Sequence, residues 1–202
     1  MVTELDPRQG AEKGLKPYRL TVEQFETMID AGVFPDRLRV ELLGGVLFRK
    51  MTKNDPHNFA VGFLGSVLNR LFEPTWLAQE EKPIILGKLW RPEPDIAVVR
   101  GPRERYRKRA PRAEDLGLLI EVCDATYSKD RGIKWRGYAA AGVGTYWIVN
   151  LPQKRIEVYA LPSGQGKTAG FQDARFLGTD DEVPLVLDGQ ERGRIAVRDV
   201  VG

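Results

Sequence analysis

The chain has very little of the chemistry that soft-metal and disulfide proteins rely on: one cysteine and one histidine in 202 residues. With Cys123 alone, no intrachain disulfide can form, and metal sites built on cysteine pairs are excluded. With His57 alone, zinc centres that use several histidines are excluded as well. Long apolar stretches are also missing. The longest uncharged run, residues 137–153, is broken by Gly142, Gly144 and Pro152. It falls short of the roughly 20 apolar residues of a membrane span. The opening residues, MVTELDPRQG, carry neither a basic nor an apolar segment of the secretory kind. The expectation is a cytoplasmic protein with no membrane contact.

What remains is an ordinary globular composition, 42% hydrophobic and 29% charged. It suits one α/β domain over residues 21–202, preceded by a polar arm over 1–20. The net charge is only +3, but it is unevenly distributed. Between Arg100 and Arg112, seven basic residues face a single acid, Glu104. Such a cluster attracts polyanions. Any metal in this chain must rest mainly on carboxylates, which favours hard cations such as Mg²⁺ or Mn²⁺.

Thr21 and Gln24 form a capping-box pattern that opens a helix with Val22, Phe25, Met28 and Ile29 on one face, ended by Gly32. Gly44-Gly45 between two apolar runs predicts a tight hairpin, with Glu41 in its first strand. Asp55 and Pro56 suit a helix start. Phe59, Phe63, Val67 and Leu71 then recur at four-residue spacing and predict its apolar face. Strands are expected at Pro83–Leu86, Asp95–Val99, Leu118–Val122, Thr145–Asn150 and Arg155–Leu161. A helix from Arg131 to Ala141 would join two of them as a βαβ unit. Further short strands, Phe171–Leu177 and Val183–Leu187, would form a C-terminal β extension.

Three charges sit where charge is costly. Asp95 begins an apolar strand (DIAVV), Glu121 lies inside another (LLIEV), and Lys134 lies on the helix that must pack near them. Burying them costs several kcal/mol unless they are paired or bound to metal. One reading is a structural ion pair. The other is a phosphodiester site. There, two carboxylates hold a divalent cation, and a lysine orients the attacking water or stabilises developing charge. The basic segment between the two acids favours the second reading.

These residues also carry a resemblance. Glu41-Leu42-Leu43-Gly44-Gly45, His57, Pro94-Asp95-Ile96-Ala97-Val98-Val99, Leu119-Ile120-Glu121-Val122, Asp130, Lys134, Tyr138, Ala141-Gly142-Val143 and Tyr146-Trp147-Ile148-Val149 occur in the order found in the Uma-two family. Over roughly residues 20–160 the chain resembles these restriction-endonuclease-like members of the PD-(D/E)xK nuclease superfamily. The resemblance implies a mixed sheet flanked by helices and a Mg²⁺- or Mn²⁺-dependent endonuclease acting on DNA. It casts Asp95 as the acid of the Pro-Asp motif, Glu121 as the second acid, and Glu41 as an additional one. The superfamily's acid-x-lysine would place its lysine at 123, where this chain has Cys123. The lysine is displaced onto the following helix, at Lys134. Homodimers are frequent in the superfamily.

The remaining candidates carry two readings each. Glu41 is either a family acid or a solvent-facing strand residue. His57, in the first turn of its helix, is either a phosphate contact or proton donor, or a structural hydrogen-bonder. Asp130 is expected to cap the Lys134 helix, or else to pair with Lys134 four residues on. Tyr138 is expected to pack on the sheet, with its hydroxyl free to reach Lys134. Cys123 is expected to be a small buried residue. The main-chain carbonyl near Val122 is a further metal-ligand candidate. Arg103, Arg105, Arg107, Lys108 and Arg109 are the candidate nucleic-acid contacts, and Tyr106 a candidate stacking ring. Because this segment lies between Asp95 and Glu121 in the chain, it is expected to start and end near them. The alternative to an enzyme is a catalytically inactive nucleic-acid-binding or assembly module on the same fold.

Overall fold

The computed structural model describes residues 17–35, 38–50, 52–124 and 127–202. Most of the expected N-terminal arm, residues 1–16, lies outside the described residues.

Helix α1 (Val22–Asp30) starts as expected, with Thr21 and Gln24 capping each other reciprocally. Val22 and Phe25 are buried, but Ile29 is exposed. Strands β1 (Val40–Leu43) and β2 (Val46–Arg49) form the predicted hairpin. Gly44 and Gly45 both take positive φ, as the two-residue turn requires. This hairpin stands apart from the main sheet. It is tied to the loop ahead of Asp95 by reciprocal main-chain bonds between Leu42 and Arg91.

Helix α2 (Asp55–Phe72) follows. Its cap is Asn54, not Asp55: the Asn54 side chain accepts from the His57 amide at 3.2 Å. The buried face also differs from the four-residue stripe. His57, Ala60, Val61, Leu64, Gly65, Leu68 and Phe72 face inward, while Phe59 is 61% and Leu71 44% exposed. A spacing of four drifts around a 3.6-residue helix. The inward stripe instead mixes steps of three and four, which keeps it on one face.

The main sheet has six strands, in the order β3 (Trp76–Glu80), β4 (Ile96–Arg100), β5 (Leu116–Cys123), β6 (Thr145–Asn150), β7 (Arg155–Ser163), β8 (Gly170–Gly178). Only β5 and β6 run parallel; the other neighbours are antiparallel. The edge strand β3 was not anticipated. The strand expected at Pro83–Leu86 is an extended loop instead, with one bridge from Ile85 to Arg112. Its amides are spent separately on Pro92, Pro111 and Trp90 carbonyls, so no ladder forms.

The β5–β6 crossover is not one regular helix. It runs through α3 (Tyr127–Lys129), a π-helical turn (Asp130–Lys134) and α4 (Trp135–Ala140). Phe171–Leu177 falls within β8 and joins the main sheet. The hairpin of β9 (Glu182–Leu187) and β10 (Gln190–Ala196) pairs separately, and α5 (Val197–Val201) ends the chain.

The sheet is sandwiched between two apolar layers. On one face, α2, α5 and the β9–β10 hairpin pack on Ile96, Val98, Ile120, Val122 and Trp147. On the other, Tyr138 of α4 and the 84–90 loop pack on Ala97, Leu119, Tyr146 and Ile148. Gly137 lets α4 dock closely: a Cβ there would lie 2.2 Å from the Trp90 ring. This is a mixed sheet flanked by helices, the architecture expected from the sequence. Among the described residues, no helix is long and apolar enough to cross a membrane.

Candidate active site

Three elements deliver the charged residues to one place. Asp95 stands just before β4, Glu121 lies near the end of the neighbouring β5, and Lys134 closes the π turn. All three line a cleft of about 110 Å³, together with His57, Val122 and Asp130. A π turn adds a residue to a helical repeat, and such turns frequently mark functional positions. Here it aims both Asp130 and Lys134 inward.

Asp95 is fully engaged. One carboxylate oxygen accepts from Lys53 Nζ at 2.7 Å. The other accepts from the Val122 amide at 2.8 Å and lies 3.2 Å from His57 Nε2. Burial opposes its ionisation, but the His57 hydrogen bond and the charges of Lys53, His57 and Lys134 outweigh it. The carboxyl is held well below its usual range. His57 Nδ1 is buried without a hydrogen-bond partner.

Glu121 has a different environment. One oxygen accepts both Lys134 Nζ at 2.8 Å and the Tyr138 hydroxyl at 2.7 Å. Burial pushes its pKa up to about 7 against the pull of Lys134. Burial works against the lysine's charge too, but Glu121, Tyr138, Glu41 and Asp130 hold Lys134 well above its ordinary pKa. At neutral pH the lysine keeps its proton, and Glu121 is the group poised to gain or lose one.

Glu41 is not solvent-facing: it is fully buried. It binds Lys129 at 2.9 Å and Lys134 at 3.3 Å, and accepts from the Glu93 amide. Burial raises its pKa, but the two lysines bring it below the ordinary value. Lys134 thus bridges Glu121 and Glu41. Asp130 does not cap a helix; it sits inside the turn. Its Oδ2 accepts from Cys123 Sγ at 3.0 Å, and its Oδ1 lies 3.7 Å from Lys134 without a hydrogen bond. Tyr138 packs on the sheet as expected, but its hydroxyl serves Glu121.

Lys50, Lys53 and Lys129 were not singled out from the sequence, yet all three line the cleft with Lys134. Lysines in polar segments give no signal of their own. Only the register of Asp95 and Glu41, known from the fold, reveals them.

The basic segment is placed differently from expectation. β4 leads away from Asp95 and β5 returns to Glu121, so residues 101–115 join the strands at the opposite end of the sheet. Order along the chain does not bring this connection near the acids, because two antiparallel strands separate it from both. Arg103 pairs with Glu73, while Arg105 and Arg109 pair with the buried Asp115. The Tyr106 hydroxyl donates to the Arg100 carbonyl, and the Arg109 guanidinium lies over its ring.

The donor set suits a hard cation in one specific sense. Asp95 and Glu121 line the same cleft, and the amide of Val122, next to Glu121 on β5, donates to Asp95. No group of three or more acid, histidine or cysteine side chains with metal-binding geometry occurs among the described residues. An all-protein cage is therefore absent. Two carboxylates with a main-chain carbonyl match a cation that keeps several waters, the usual habit of Mg²⁺.

A crystal structure of a "putative nuclease belonging to DUF820" from Anabaena variabilis aligns with a TM-score of 0.66 over 90% of this chain and 97% of that one, at 18% identity. That likeness bears on the fold. No curated protein matches the chain. The Uma2 family model, described as "Putative restriction endonuclease", matches residues 22–193. That span takes in the hairpin with Glu41, both sheet acids and the Lys134 turn, and the chain belongs to the Uma2 family.

Proposed function

We propose that the protein is a Mg²⁺- or Mn²⁺-dependent endonuclease that hydrolyses DNA phosphodiester bonds by attack of water. The convergence of Asp95, Glu121 and Lys134 on one cleft carries this reading. Asp95 and Glu121 would hold the cation, with the Val122 carbonyl as a further ligand. When bound, the cation supplies Lewis acidity to the scissile phosphate and lowers the pKa of its water.

The side chains divide the remaining work. Asp95 is ionised at any physiological pH and is oriented by the Val122 amide and His57. Lys134 is a fixed cation whose position between Glu41 and Glu121 lets it orient the attacking water or meet charge developing on the phosphate. Glu41 holds that lysine in place. Lys53 and Lys129 lie at the rim, where a polyanion would approach. His57 is in reach of Asp95 and supports it.

The first test is calorimetric titration of Mn²⁺ into wild type and Asp95→Ala/Glu121→Ala, with plasmid nicking measured on the same samples. Saturable binding and nicking that both vanish in the double variant support the reading. Wild-type nicking in the variant would overturn it.

One observation favours a second reading. Each acid already has a lysine: Asp95 has Lys53, Glu121 has Lys134, Glu41 has Lys129. A self-neutralised cluster suits a nucleic-acid-binding or assembly module without catalysis. Such a module would hold DNA equally well in EDTA.

A further inference from the structure

A second concavity lies on the sheet away from the cleft. It is a broad groove of about 890 Å³ between β3, the 82–83 turn and the basic segment. It shares no lining residue with the cleft. Its floor is Ala78, Gln79 and Glu80, and its basic wall comes from Arg103, Arg107, Lys108 and Arg109.

The groove nevertheless reaches the cleft. Glu81 follows its floor residue Glu80, and the Glu81 carboxylate binds Lys53 at 2.8 Å. Lys53 in turn binds Asp95. A chain of contacts therefore links Asp95 through Lys53 to Glu81, whose neighbours Glu80 and Lys82 line the groove.

Half of the six cations that line the groove are already neutralised. Arg91 pairs with Glu26, Arg103 with Glu73, and Arg109 with Asp115. Lys82, Arg107 and Lys108 are exposed and have no ion pair among the described residues. The segment that carries two of them is well braced. The buried Asp115 accepts from Arg105, Arg109 and the Arg112 amide, and the Pro111 carbonyl accepts from Ile85. Cations held on a braced segment lose little entropy on binding. Glu26, Glu80 and Glu104 also border the groove. They disfavour a purely electrostatic, unoriented binding mode, and leave Lys82, Arg107 and Lys108 as the attractive points.

We infer that this groove carries the sugar–phosphate backbone of double-stranded DNA flanking the cut, on one side only. The inference rests on the nuclease reading of the cleft. It adds a length requirement. β4 spans five residues between the two ends of the sheet, about 17 Å at a strand's rise. At about 3.4 Å per nucleotide along a strand, the basic wall at the far end of the groove is reached roughly five base pairs from the scissile phosphate.

The experiment measures equilibrium binding of DNA duplexes whose flank on one side grows from two to twelve base pairs, with Ca²⁺ in place of a catalytic cation. The proteins are wild type, Arg107→Glu/Lys108→Glu and the milder Arg107→Gln/Lys108→Gln. Wild type is expected to show a step in affinity once one flank passes about five base pairs, but not when the other flank is lengthened. Both variants are expected to flatten that step. The glutamine pair should also lower the slope of log affinity against log salt by about two. A step that survives in the variants, or no step in wild type that still nicks plasmid, overturns the groove and leaves the cleft reading standing. Wild type that neither binds nor nicks DNA overturns both.

Discussion

Lys53 Nζ and the Asp95 carboxylate lie 2.7 Å apart, so an ammonium group already occupies one oxygen of the carboxylate proposed to hold the cation. The lysine has an alternative partner in Glu81, at 2.8 Å. It can release Asp95 without becoming an unpaired charge. Lys53→Met is therefore expected to tighten Mn²⁺ binding by roughly ten-fold, about 1.4 kcal/mol. The metal-free protein should lose about 1–3 kcal/mol of stability, because Asp95 loses a charge-assisted hydrogen bond. Mn²⁺ titration and urea unfolding read the two effects. Unchanged or weaker metal binding would remove Lys53 as a competitor.

Glu121 makes the metal-free protein pH-sensitive in a direction that can be worked out. Its folded pKa, about 7, lies above the ordinary value of 4.5. The unfolded chain releases this proton first as pH rises, so the group costs stability between about 4.5 and 7, and the cost is complete above that. Glu121→Gln is expected to flatten this part of the profile, measured by urea unfolding at pH 5, 6 and 8. Asp95 acts oppositely: its contribution is present at neutral pH and is lost only in strong acid, as its depressed pKa is passed. A wild-type profile that rises from pH 5 to 8 through this site would contradict the assigned burial.

Metal binding should also release a proton. A cation on Glu121 requires the carboxylate, and the group is mostly protonated near pH 6. Mn²⁺ titrations in buffers of different ionisation enthalpy are expected to report close to one proton released at pH 6 and almost none at pH 8.5. Equal release at both values would place the titrating group elsewhere.

Gly137→Ala tests the positioning of Lys134 without touching it. The added methyl would meet the Trp90 ring at 2.2 Å. Either α4 or the 84–90 loop must move, at a cost of about 1–3 kcal/mol. Nicking should fall with stability, and more steeply, because Lys134 leads directly into α4. Full nicking in a folded Gly137→Ala protein would show that the lysine tolerates displacement.

Glu157 is the contrasting buried acid. It is fully buried in β7, where Arg155, Tyr159, Tyr127 and Asn150 all donate to it. It lies outside the cleft. Glu157→Ala should cost about 1–3 kcal/mol, by leaving the Tyr159 and Tyr127 hydroxyls without their acceptor. Nicking by the fraction that remains folded is expected to continue. Loss of nicking in fully folded protein would extend the site across the sheet.

These contrasts bear on what the residues disclose in advance. Asp95 and Glu121 are legible because an acid within an apolar strand needs a partner, whatever the fold. Glu157 obeys the same rule but hides in the alternating pattern of RIEVYAL, where a charge looks exposed. Lys53 and Lys129 give no local signal, since their partners Asp95 and Glu41 are 42 and 88 residues away. Hairpins and caps depend on neighbours in sequence, so Gly44-Gly45 and Thr21 could be read directly. The edge strand β3 and the inward face of α2 depend on what packs against them: of the four-residue repeat, Phe63 and Val67 reach the edge of the core while Phe59 and Leu71 are exposed. The basic segment was located by order along the chain, when what mattered was the direction of two strands.

Glu41 reaches Lys129 and Lys134 from a hairpin that lies outside the main sheet and emerges some ninety residues ahead of them during synthesis. A growing chain cannot complete the cluster until Lys134 has left the ribosome and the hairpin has docked. Until then Glu41 and Glu121 have no lysine between them, and the charge balance of the cluster waits on the last of its members to be made.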